Sequence, residues 1–160
     1  MNEIVQNPVD VFRRDSPALV RVDITYGRGS SASWLFDVLQ SMFIFLGVTN
    51  DKFSKEQIYI LAQTVAAQYK TLKVAEILLF VSRFMAGKYG RFYGSDSYAL
   101  VVTEAINVFM AEREHYYADI EREKHEKAIE EGKKGTITYE EYKKLKEAKG
   151  EKTNLEEIFG

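Results

Sequence analysis

Nine consecutive residues, Gly87-Lys-Tyr-Gly-Arg-Phe-Tyr-Gly-Ser95, carry three glycines, three aromatics and two cations. With Lys70, Lys73 and Arg83 they set five positive charges against Glu76 alone between positions 70 and 91. Cationic heads of this kind hold phosphates, and interleaved aromatic rings stack on bases, so the loop suits a nucleic-acid backbone. The same residue types anchor protein partners, because tyrosine and arginine are enriched at interface hot spots. A third use is architectural: Phe92 and Tyr93 fold back to plug a gap between helices while the glycines permit the bend. The expected contact residues are Lys73, Arg83, Lys88, Tyr89, Arg91, Phe92 and Tyr93.

Other constellations fit chemistry less well. His115 and His125 lie ten residues apart on one expected helix, nearly three turns, which is too far for one metal ion. His115 and Asp119 share a turn but lack a second pair of ligands. Gly27-Arg28-Gly29-Ser30-Ser31 precedes a helix, as phosphate-cradling turns do, yet no Lys-Ser or Lys-Thr pair follows and no third glycine completes a dinucleotide fingerprint. Around Glu141 the calcium-loop spacing would place Glu130, Gly132 and Lys134 at ligand positions, the wrong set for calcium. No nucleophile elbow or zinc-protease motif is present. The sequence therefore predicts no enzyme, no cofactor and no metal.

The elements that hold the loop follow from periodicity. With 160 residues, 46% apolar and 13% aromatic, the chain can bury one sizeable core. A net charge of -2 supplies no global field for nucleic acid. The absence of cysteine removes disulfides and thiolate sites, and with no basic and apolar leader the expected location is the cytoplasm.

Residues 1–17, punctuated by Pro8 and Pro17, read as a polar arm. Val20 to Tyr26 alternates apolar with polar and predicts one short strand, to pair with Thr136–Tyr139 or with another subunit. Ser33 is expected to cap the helix that follows. Residues 34–46 are apolar nearly all round but too few to span a bilayer, which predicts a central buried helix, or one with an exposed face for oligomerisation.

Ser54 and Gln57 form a capping box ahead of Ile58, Leu61, Ala62, Val65, Ala66 and Tyr69 at helical spacing. A second helix starts around Thr71, with Val74, Ile77, Leu78, Val81, Phe84 and Met85 inward, and stops at Gly87. Ser95 or Asp96 caps a third, whose inner face is Val101, Val102, Ala105, Ile106, Phe109 and Met110. Its charged continuation to Lys134 reads as a solvated helix that Gly132 and Gly135 break. Thr138 and Glu141 form another capping box, and Leu155, Ile158 and Phe159 end the chain as a groove-binding peptide or a frayed tail.

The loop, with Leu79-Phe-Val-Ser-Arg-Phe84 before it and Glu104-Ala-Ile-Asn-Val-Phe-Met-Ala-Glu-Arg113 after it, resembles an uncharacterised family of small helical proteins from phages and mobile elements of gut bacteria. Members commonly show a Gly-x-Tyr-Gly-x-x-Tyr-Gly core and a helix ending in Glu-Arg. The likeness covers residues 54 to 115; Asp96-Ser97-Tyr98 departs from the Val-Asp-Pro, or acid followed by arginine, that relatives often show. It implies an accessory task such as replication, and the helical arrangement is loosely similar to phage helicase loaders.

The expected fold is all-α: about four bundled helices, one short N-terminal strand and a projecting charged C-terminal helix. Residues 1–30 form the arm, 31–131 the core and 132–160 the tail. The expected function is that of a non-enzymatic phage-type accessory protein engaging replication proteins or DNA through the loop. The alternative is an assembly protein making homo-oligomer contacts through arm, strand and tail. No membrane partner is expected.

Overall fold

A computed structural model describes residues 8–90, 97–135 and 137–148, with the side chains of 8 and 9 left aside. Its helices are α1 (Pro8–Arg13), α2 (Leu19–Tyr26), α3 (Ser30–Phe45), α4 (Lys55–Gln68), α5 (Val74–Met85), α6 (Tyr98–Gly135) and α7 (Tyr139–Ala148). The class is all-α. Two compact units divide the chain, residues 1–117 and 118–160.

The strand expected over Val20–Tyr26 is helix α2. Alternation would have buried Val20, Ile24 and Tyr26 together, yet all three are exposed, and Leu19 is the buried residue instead. A lone strand has no partner for its backbone, whereas a helix satisfies most of its own groups. The Leu19 and Val20 N–H groups, left over at the helix start, donate to the carbonyls of Leu72 and Lys70 at 2.9 and 3.0 Å. Strand geometry is limited, among the described residues, to one isolated bridge between Ala18 and Lys73. The second strand-like run fares no better, since α7 begins at Tyr139.

The polar arm also needs correction over α1. Val11 and Phe12 are buried. Phe12 stacks on Tyr116 at 4.8 Å and meets Phe109 at 6.1 Å. Burying such a ring contributes roughly 1.5–3 kcal/mol, enough to tether a short helix that could not stand alone.

The Ser33 cap does not form. Helix α3 starts three residues earlier, behind Gly29 in the left-handed region at φ 91°. Asp23 supplies the cap from α2: its carboxylate accepts from the Ser31 N–H at 2.9 Å and the Ser31 hydroxyl at 2.7 Å. Hydrogen bonds from the Ser31 backbone, above all, hold the Asp23 carboxyl below its ordinary pKa. The backbone donors of this glycine turn thus already serve the protein's own anion, not a bound phosphate.

Helices α3 and α4 form an antiparallel pair, fixed at one end by Phe43 against Phe53 (5.0 Å) and at the other by Phe36 against Tyr59 (5.8 Å). The Ser54–Gln57 capping box is present in both directions. Leu35 and Leu39 of α3, Val65 of α4, Leu72 of the connection to α5, Ile77 and Phe80 of α5, and Ile106 and Phe109 of α6 close over a space of only about 10 Å³. That centre is packed protein, not a ligand chamber.

Gly87, at φ 80°, follows α5 as expected. Ser95 and Asp96 lie outside the described residues; Ser97 Oγ accepts from the Leu100 N–H at 3.4 Å at the start of α6. Gly132 does not break α6, which continues through Gly135. Good helix formers on both sides outweigh one glycine, which costs about 1 kcal/mol in a helix interior. Thr138 and Glu141 cap α7 reciprocally at 3.0 and 3.3 Å. No described helix is long and apolar enough to cross a membrane.

Candidate interaction surface

Of the cations expected at one corner, Arg83 and Lys88 come together on one carboxylate, Lys73 stands apart, and Arg91 lies outside the described residues. Lys73 stands at the start of α5, with Nζ 3.4 Å from the Arg14 carbonyl and 5.7 Å from the Tyr117 ring centre. Arg83 lies ten residues on, about 15 Å along the helix. Its Nη1 pairs with Glu112 at 2.7 Å, and its side chain is only 11% exposed. Lys88 shares the same Glu112 carboxylate at 3.3 Å. A window of sequence from 70 to 91 could not show this, because the neutralising acid arrives from α6.

Tyr89 turns inward. Its ring stacks on Phe80 at 5.5 Å and approaches Phe84 at 6.5 Å. Burial pushes its phenol pKa up, against the nearby Arg83 guanidinium. Its hydroxyl is buried with no hydrogen-bond partner among the described residues. Tyr89 is thus a packing residue, whereas the plug was expected of Phe92 and Tyr93. Arg91, Phe92 and Tyr93 lie outside the described residues, as does the terminal Leu155–Phe159 peptide.

The other end of α5 holds a polar knot that the charge tally concealed. Glu76 is 0% exposed. Its Oε2 accepts from the Lys73 N–H at 2.9 Å, half of a capping box, and from Arg113 Nε at 3.0 Å. Its Oε1 accepts from the Tyr117 hydroxyl. Arg113 also donates to the Thr71 carbonyl at 3.3 Å and lies 4.8 Å from the Tyr117 ring centre. Burial first, and then the hydrogen bond to Glu76, push the Tyr117 phenol up to about 12. Both carboxylate oxygens of Glu76 are held by groups from α6 or from the start of α5, so the cluster fastens α6 to α5. Its signal in the sequence was the glutamate three residues into a helix together with an arginine and tyrosine four apart on another.

The outer side of α3 and α4 has the opposite character. Over residues 30–45 and 57–69 the sequence contains a single charged residue, Asp37, in a chain 29% charged. Core packing accounts for only part of this. Ile44 is 69% exposed, Ile60 60% and Tyr59 41%. Between the helices runs an open groove of about 340 Å³ lined by Phe36, Lys55, Glu56, Tyr59 and Ile60. The helical pattern explains how it escaped notice: Ile58, Leu61, Ala62 and Val65 already complete the buried stripe of α4, leaving Tyr59 and Ile60 as surplus apolar residues outside it.

Among the described residues no three histidine, aspartate or glutamate side chains gather as a metal site would need.

Residues 54–153 match the family described as Family of unknown function (DUF6633), and the chain belongs to it. The match begins at the N-cap of α4, so it includes the groove's α4 wall, the polar knot and the loop, with α1 to α3 outside it. No curated protein and no solved structure matches the chain.

Proposed function

We propose that this chain is a non-catalytic accessory protein that works by binding another protein through the outer face of α3 and α4. The observation that carries the reading is the coincidence of charge depletion with exposed Ile44, Tyr59 and Ile60 beside a groove. Removal of charge and enrichment of aromatic residues distinguish the centre of a protein interface from ordinary surface. A protein partner ranks ahead of DNA because Arg83 and Lys88 spend their charge on Glu112, and Lys73 stands apart from them. The setting suggested by the phage-like resemblance, replication or a related task, is compatible with such a binder.

The test is affinity capture from the cells that make the protein, using full-length wild type, Ile60→Asp and Lys88→Ala. Loss of the captured partner with Ile60→Asp and retention with Lys88→Ala is expected. The reverse pattern would move the working surface to the loop.

A further inference from the structure

The chain from Asp10 to Val20 is held to the rest of the domain in two unlike ways. Its second half is stitched down by hydrogen bonds. The Leu19 and Val20 N–H groups donate to the Leu72 and Lys70 carbonyls, the Val74 N–H donates to the Pro17 carbonyl at 2.9 Å, and the Ala75 N–H donates to Ser16 Oγ at 3.1 Å. Its first half is α1, which packs against α5 and buries Val11 and Phe12. The Phe12 ring enters an aromatic cradle on α6, 4.8 Å from Tyr116, 5.8 Å from Tyr117 and 6.1 Å from Phe109. Six residues are too few for a helix to hold itself. Ordering them costs conformational entropy comparable to the gain from burying two apolar side chains, so α1 docks close to balance.

The cradle is built without help from its occupant. Glu76, which ties its floor together, is held by the Lys73 N–H, Arg113 and Tyr117, none of them from α1. Phe109, Tyr116 and Tyr117 lie within the family-matched residues 54–153, whereas α1 lies outside them. At the rim, Lys73 Nζ stands 3.4 Å from the Arg14 carbonyl, just past the end of α1, where a helix leaves its carbonyls unpaired. We propose that α1 is a cis-acting ligand: it fills a helix-binding cradle on α5 and α6, and swings out about Ser16–Pro17 to admit a short helix of another protein. The segment that fits offers what α1 offers, an aliphatic residue followed by an aromatic one in its last turn, with its carboxyl end toward Lys73. This site is separate from the α3–α4 face, and neither depends on the other.

Two measurements on the full chain test it. In wild type the Arg14 amide, which donates to the Asp10 carbonyl, is expected to exchange hydrogen on the order of 100-fold faster than the Leu19 and Val20 amides. Equal rates would mean that α1 opens only with the whole domain, and would overturn the proposal. The second probe is a fluorescein-labelled peptide of residues 8–16, followed by anisotropy. It is expected to bind the Phe12→Asp chain, whose cradle is vacated, about tenfold tighter than wild type, whose own arm competes. The same peptide carrying Phe12→Ala should bind neither. Equal binding to wild type and Phe12→Asp, or binding that survives Phe12→Ala in the peptide, overturns the cradle as the site. No binding to a Phe12→Asp chain of unchanged circular dichroism overturns it too, and an unfolded Phe12→Asp chain would make α1 part of the core rather than a ligand. Adding Ile60→Asp to Phe12→Asp is expected to leave peptide binding unchanged; a loss would contradict the separation of the two sites.

Discussion

Residues 30–69 and residues 118–148 are both helical and both show a large outer surface, but they meet water in opposite ways. Every residue from Glu121 to Gly135 in α6 is exposed. Charge there is abundant and locally paired, as in Arg122–Asp119 at 2.6 Å and Lys124–Glu121 at 3.5 Å, three residues apart. Such a surface is content in solvent. On α3 and α4 charge is confined to Asp37, Lys55 and Glu56, and isoleucine and tyrosine stand exposed beside them. Helix formation alone does not require that, since glutamate, lysine and glutamine are equal or better helix formers than exposed isoleucine or tyrosine. The proposal that the α3–α4 face binds a protein rests on this difference.

Substitutions can break this contrast or sharpen it. The largest expected loss of stability lies at neither surface but at the knot between α5 and α6. Arg113→Met leaves Glu76 buried without its cation, and urea unfolding is expected to show a loss of about 3–5 kcal/mol. Surface residues of either kind should fall far below that benchmark. Asp23→Ala, which removes the cap that starts α3, is expected to cost about 1 kcal/mol by the same assay. Because the folded pKa of Asp23 is lowered, its contribution is present above the ordinary 3.8 and disappears as pH falls through the lower folded value.

Lys124→Gln in the solvated half of α6 should change stability by no more than about 0.5 kcal/mol, and the change should shrink with added salt. A larger, salt-resistant loss would mean that this surface too is committed to a contact. Smallest in consequence at neutral pH is Tyr117. Its folded pKa of about 12 lies above that of a free phenol, so its contribution is complete below about pH 10 and is lost as pH rises toward the folded value. Phenolate absorbance should show Tyr117 titrating late, with Tyr89 also raised by burial, and Arg113→Met should shift the Tyr117 component alone.

The helices with a strong inner stripe were legible in the sequence, because a capping box and 3.6-residue spacing leave little else for Ser54–Gln68 to be. Residues 19–26 were not. Their period of two was real, but which side is buried depends on Leu72 and Lys70 offering carbonyls to the first turn, and no local pattern carries that. The loop was legible only in part: its cationic and aromatic residue types are plain in the sequence, while Glu112, which pairs with Arg83 and Lys88, comes from α6. Conversely, the exposed apolar side weighed for residues 34–46 is seen at Ile44, while exposed Tyr59 and Ile60 on α4 were hidden beside a core stripe. Local composition announces what a residue can bind; tertiary structure decides what it already holds.

Hydroxyl-radical footprinting of the chain, alone and in extract of the cells that make it, reads both surfaces in one experiment. Oxidation of Tyr59 and Ile60 is expected to fall in extract, while Tyr139 and Tyr142, exposed on α7, keep their reactivity. Protection of the α7 tyrosines with Tyr59 and Ile60 unchanged would contradict the proposal that the α3–α4 face is the binding surface.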